Sequence, residues 1–194
     1  MWATIFLVTF PLTGCVQPST PQAPQIILIS VDASTESELD FATAFLDEFA
    51  FQTAQYRWLI VDVQKKNEVA NYFSNKPSKE AIDEIIQNVV QISCNDQALL
   101  ASLAHAKEYA QRLNEDESIT AVILTEGTRN AETLRSLQEL SQELSKFPHL
   151  KLFIAGVSED NRLPLSQAFT PIEHQVQFFG NGLVELDELL RLLS

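Results

Sequence analysis

Short apolar runs, most of them β-branched, alternate along this chain with longer segments in which apolar residues recur every three or four positions. The runs are typical of strands covered on both faces, and the longer segments are typical of amphipathic helices. The predicted strands occupy residues 26–31, 119–125, 150–157 and 176–180, with two more inside 56–73. The predicted helices occupy residues 36–50, 76–90, 97–113, 131–146 and 183–193.

This alternation predicts the fold class. It favours an α/β, doubly wound, mainly parallel sheet with one antiparallel edge strand and helices on both faces, joined by right-handed crossovers. The edge strand is expected around Tyr72, after a turn at Lys65-Lys66-Asn67. The chain has 194 residues, which suits one such domain, predicted here for residues 25–194.

Charge and cysteine content exclude several classes of protein. Thirteen basic residues stand against twenty-six acidic ones, so the formal net charge is −13 and nucleic acid is not an expected partner. Cys15 and Cys94 are the only cysteines, too few for a disulfide framework or a multi-cysteine zinc site. His105, His149 and His174 are dispersed without the spacing of metal ligands.

The amino-terminal residues 1–14 carry no charged side chain, are mostly apolar and end in small residues just before Cys15. Their apolar stretch is shorter than the roughly 20 residues that a membrane-spanning helix needs, so it is typical of an export signal. Leu12-Thr13-Gly14-Cys15 resembles the bacterial lipobox, which implies cleavage before Cys15 and a diacylglycerol thioether on its sulfur. The segment lacks the basic residues usual at the start of a signal, which leaves open a longer signal that begins upstream. An unlipidated or uncleaved apolar start is the other alternative.

The lipobox resemblance implies a place in the cell. Residues 15–24 would be the lipidated cysteine and a proline-rich, extended tether. The protein would then be a lipoprotein of the cell envelope, anchored to a bacterial membrane and facing the periplasm or the exterior. The residue after the cysteine is Val16 and not an aspartate. In a double-membrane bacterium, this resembles the pattern of lipoproteins that are sorted to the outer membrane.

Two predicted loops carry the strongest chemical signal. In sheets of this class, ligands bind in loops at the carboxyl ends of the strands. Asp32-Ala33-Ser34-Thr35-Glu36 follows the first predicted strand, and Thr125-Glu126-Gly127 ends the strand predicted for 119–125. Both segments are therefore expected at the same edge of the sheet.

From about residue 25 to the end, the chain resembles a von Willebrand factor type A domain. The family's metal-ion-dependent adhesion site combines an Asp-x-Ser-x-Ser loop, a threonine on a middle loop and a Thr-Asp-Gly turn. The first loop keeps Asp32 and Ser34 but has Glu36 where a serine is expected, and Glu126 replaces the aspartate of the turn. In the middle loop, Asp96 or Gln97 stands in the threonine's place, depending on a one-residue gap.

The resemblance implies a protein-binding module, not an enzyme, with a degenerate cation site. Its ligands would be Asp32, Ser34, Glu36, Asp96 and Glu126, and its ion Mg²⁺ or Ca²⁺. Hard cations prefer oxygen ligands, and extra carboxylates would bind the ion more tightly while reducing its attraction for an acidic partner.

The same residues also fit a helix cap. Asp32, Ser34 and Thr35 are N-cap residue types, and Thr35 and Glu38 have the spacing of a capping box. A scaffold domain without any metal ligand therefore remains open. A hydrolase using Asp32, Ser34 and Glu126 is the further alternative, although Ser34 has no recognisable base.

Overall fold

The computed structural model describes residues 25–31, 36–51, 58–63, 71–73, 77–89, 98–114 and 117–194. The strands are β1 Gln25–Val31, β2 Trp58–Val63, β3 Asn71–Phe73, β4 Ser118–Leu124, β5 Leu150–Ala155 and β6 Val176–Phe179. The helices are α1 Glu36–Phe51, α2 Lys79–Val89, α3 Ala98–Gln111, α4 Ala131–Leu144, α5 Glu159–Ala168 and α6 Leu183–Leu193. A short 3₁₀ helix, Thr170–Ile172, follows α5.

The strands form one sheet in the order β3-β2-β1-β4-β5-β6. Five of them, β2, β1, β4, β5 and β6, run parallel, and the three-residue β3 pairs antiparallel with β2. The chain builds outward from β1 to β3, then returns to the other side of β1 with β4, so the winding reverses between β1 and β4. The predicted doubly wound α/β fold is confirmed.

The sheet separates two apolar layers. One layer, called here the α1 face, joins the sheet to α1, α2 and α6, and the other, the α3 face, joins it to α3, α4 and α5. Successive residues of β1 alternate between them: Ile27 and Ile29 belong to the α1 face, and Ile26 and Leu28 to the α3 face. A strand between two helical layers needs apolar residues on both sides, which explains the unbroken apolar run.

Helix α5 and the 3₁₀ helix after it were not predicted from the sequence. Pro164 lies inside α5, and proline is normally a sign that a helix has ended or kinked. The other predicted helices are present. The ends of α6 are as predicted, and the rest differ by one to three residues at an end, as at α2, where the prediction began at residue 76. Within the described ranges, no helix is long and apolar enough to cross a membrane.

Candidate functional site

The carboxyl ends of β1 and β4 lie side by side in the sheet. Val31 and Leu124, the last residues of these two strands, are paired in the parallel register. Neighbouring strands lie about 4.8 Å apart, so the chain leaves Val31 and Leu124 at adjacent points on the same edge of the sheet. This is the switch point of the winding, where doubly wound sheets commonly bind ligands.

A buried carboxylate ties these two regions together. Glu38, in the first turn of α1, has a relative exposure of 9%. Its Oε1 accepts a hydrogen bond from the backbone N–H of Glu126 at 2.7 Å. Because α1 begins at Glu36, Glu38 is the third helical residue, which is the position a capping-box acid would take, but Thr35 lies outside the described residues. The sequence suggested only the capping role.

The Thr125-Glu126-Gly127 turn is held by its own hydrogen bonds. Thr125 Oγ1 accepts from the Gly127 N–H at 3.1 Å, and Gly127 has a φ of +89°, which favours glycine. The Glu126 carbonyl accepts from Asn161 Nδ2 at 3.0 Å and from the Ser158 N–H at 3.3 Å. Because Glu38 accepts from the Glu126 N–H, both the N–H and the carbonyl of Glu126 are hydrogen-bonded. The Glu126 side chain is half-buried.

An open cleft of about 550 Å³ lies between this turn and the start of α5. Its lining carries three acidic side chains and one basic one: Glu126, Arg129, Ser158, Glu159, Asp160 and Asn161. The lining of the cleft therefore has a net negative charge. Through Glu126, the cleft lies at the edge of the sheet where the cation site is predicted. Sequence reasoning missed the α5 side of it, although Ser158 before two acids is a helix-start signal.

Arg129 joins the turn to α5 through Asp160. Its Nη2 lies 2.7 Å from Asp160 Oδ2, and its Nε donates to the Asp160 backbone carbonyl at 3.3 Å. In a regular helix, the N–H of the residue four positions later would bond this carbonyl, but that residue is Pro164, which has no N–H. Arg129 thus supplies the donor that the proline removes, which helps to explain how α5 contains a proline.

The predicted ligands are only partly within the described residues. Glu36 is exposed at the start of α1, and Glu126 lies in the turn described above, whereas Asp32, Ser34 and Asp96 lie outside the described residues, as does Cys15. Among the side chains that the structure describes, no three His, Cys, Asp or Glu residues form a group suited to a metal ion. The predicted convergence of ligands therefore stays a prediction.

The remaining polar candidates have local roles or lie at the surface. His149 Nε2 lies 3.1 Å from the Ala110 carbonyl, and its ring stands edge-on to Phe147. His174 is exposed.

No protein-family model matches the sequence, and no curated protein matches it significantly. The function must therefore be inferred from the residues and their geometry.

Proposed function

We propose that this chain is a membrane-anchored lipoprotein whose type A-like domain binds a protein partner at the carboxyl edge of its sheet. The parallel strands and the reversal of winding between β1 and β4 support the type A-like part of this proposal. The Leu12-Thr13-Gly14-Cys15 motif supports the anchor. A catalytic step is not part of the proposal.

The hydrogen bond from Glu126 N–H to Glu38 carries the proposal of a binding site. It links the helix that follows the first loop to the turn that follows β4, across 88 residues of sequence. The start of α1 and the turn after β4 are thereby held together, which supports the proposal of one site formed by the loops that lead into them. Asp32, Ser34, Glu36, Asp96 and Glu126 would supply the oxygen atoms for a Mg²⁺ or Ca²⁺ ion there.

Calorimetric titration of the full chain in detergent, with Mg²⁺, Ca²⁺ and Mn²⁺ in turn, tests the cation site. We expect one ion to bind, Asp32→Ala to abolish the binding, and Glu36→Ser to weaken it because one anionic ligand is removed. Glu159→Ala is the matched control, since Glu159 is exposed in the neighbouring cleft but is not a proposed ligand.

The metal-free alternative predicts a different result. The wild-type chain would then bind no divalent ion at millimolar concentration, and Asp32→Ala would only cost helix-cap stability of about 1 kcal/mol. That outcome would contradict the cation site and favour a scaffold domain without a metal ligand. The partner would then bind a surface other than these loops.

Mass spectrometry of the protein extracted from its native cell tests the anchor. We expect the mature chain to begin at Cys15 and to carry acyl chains, each buried CH₂ contributing about 0.8 kcal/mol to membrane binding. Cys15→Ser should move the protein into the soluble fraction. An intact, unmodified amino terminus would contradict this part of the proposal.

A further inference from the structure

We propose that the outer edge of β6 is a second binding surface, which accepts an extended peptide segment with basic side chains as an added strand. Among the strands that the structure describes, β6 is the last in the sheet and pairs only with β5. This surface lies at the edge strand, separate from the loops at the switch point. The inference therefore goes beyond the proposed function and does not depend on it.

The backbone of β6 directs hydrogen-bonding groups outward. The carbonyls of Gln175 and Phe179 accept from Leu152 N–H at 2.8 Å and Val157 N–H at 3.0 Å, so these carbonyls face β5. Successive residues of a strand direct their N–H and C=O groups to opposite sides. Val176 and Phe178 therefore present theirs to the open side, in the way that an edge strand offers itself for pairing.

One of these outward groups is already bonded. Arg162, on α5, donates from Nη2 to the Phe178 carbonyl at 2.8 Å, and its Nη1 lies 3.3 Å from Glu185 Oε1 on α6. Arg162 thus spans the sheet edge between the two helical layers and closes the carboxyl end of β6. No other hydrogen bond from the described residues reaches the outward Val176 N–H, Val176 carbonyl or Phe178 N–H.

A groove runs beside these open groups on the α3 face. It has a volume of about 340 Å³ and is lined by Ser166, Gln167, Thr170, Glu173, Val176 and Phe178. Alternate side chains of an added strand point to one face of the sheet, so this groove would receive them. Backbone bonds then supply affinity and the groove supplies selectivity, as in other cases of strand addition.

Charge identifies the kind of segment that fits. The groove has one acidic residue, Glu173, and no basic one, and the whole chain carries −13. A second copy of the chain would bring the same negative charge to the contact, whereas Lys or Arg side chains would be attracted. The sequence of β6 is Val-Gln-Phe-Phe, which contains neither the lysine nor the proline that often protects an edge strand from pairing.

Binding of a short synthetic peptide of alternating Val and Lys to the full chain tests the proposal. NMR should show slower hydrogen exchange at Val176 N–H and Phe178 N–H in the complex. Val176→Pro removes one outward donor at a position where an edge strand tolerates proline, and should weaken binding about tenfold. Val176→Thr keeps the N–H and should bind like the wild type.

The peptide offers an independent control if Val176→Pro fails to fold. A version with every backbone amide N-methylated has no N–H to donate from either edge and should also bind wild type at least about tenfold more weakly, and a Glu-for-Lys version should bind more weakly than the parent. Equal binding of the parent and N-methylated peptides, or protection at other residues, would overturn the proposal. So would a concentration-dependent dimer that Val176→Pro abolishes, because the occupant would then be a second copy.

The two sites are separable by experiment. Asp32→Ala should leave peptide binding at β6 unchanged, and Val176→Pro should leave the calorimetric response to cations unchanged. Loss of both activities in either variant, while that variant still unfolds cooperatively, would overturn the assignment of two separate surfaces. A cooperative unfolding transition is measured for each variant beforehand.

Discussion

Replacing Glu38 with alanine should lower the free energy of unfolding by about 1.5–3 kcal/mol, the contribution expected of a hydrogen bond to a charged group. Glu38 is 9% exposed, and its carboxylate accepts from Glu126 N–H at 2.7 Å, so its removal leaves that donor without this acceptor. Glu38→Gln keeps an acceptor oxygen and should lose less stability. Denaturant unfolding measures these changes, and amide exchange at Glu126 should become faster in the alanine variant.

Glu36→Ala is the matched control for this prediction. Glu36 lies in the same first turn of α1 and makes a similar favourable interaction with the helix dipole, but its side chain is exposed. Its replacement should change stability by less than about 0.5 kcal/mol. Equal losses for the two variants, together with unchanged exchange at Glu126, would mean that Glu38 does not hold the turn after β4.

The fold could be predicted because its sequence signals are local and repeated. Ile26, Ile27, Leu28 and Ile29 are all buried, as expected for a strand that is covered on both faces. Such a strand requires crossover helices, and the alternation along the chain provides them. Helix α5 was missed because Pro164 is a local signal against a helix, while the compensating Arg129 lies on another element.

The candidate site was predictable only in part, because some of its contacts join elements that are distant in the sequence. That the loops after β1 and β4 would be neighbours follows from a general rule on parallel sheets, and the pairing of Val31 with Leu124 agrees with it. The role of Glu38 does not follow from any such rule. Its spacing from Thr35 fits a capping box equally well, and only the packing of α1 against the sheet brings its carboxylate to Glu126.

Replacing Gly156 with alanine should destabilise the fold by about 2–4 kcal/mol, because two costs add. Gly156 follows β5 with a φ of +90°, a region that residues with a side chain rarely adopt. An added Cβ would also lie 3.2 Å from the Thr125 carbonyl oxygen and 3.3 Å from the ring of Phe41. Those neighbours belong to the turn after β4 and to α1, so relief of the crowding would move the candidate site.

Thermal unfolding measures the effect of Gly156→Ala, and a fall in Tm of roughly 5–10 °C is expected for a chain of this size. Gly182→Ser is the control, since Gly182 has a φ of −79° and an added Cβ would meet nothing closer than 3.9 Å. As the N-cap of α6, serine should leave stability unchanged or raise it slightly. If Gly156→Ala unfolds at the wild-type temperature, neither the positive φ nor the contact with Thr125 constrains this edge. If it is destabilised and the domain binds cations, their binding should weaken as well, because the backbone that Gly156 touches is the backbone that positions Glu126.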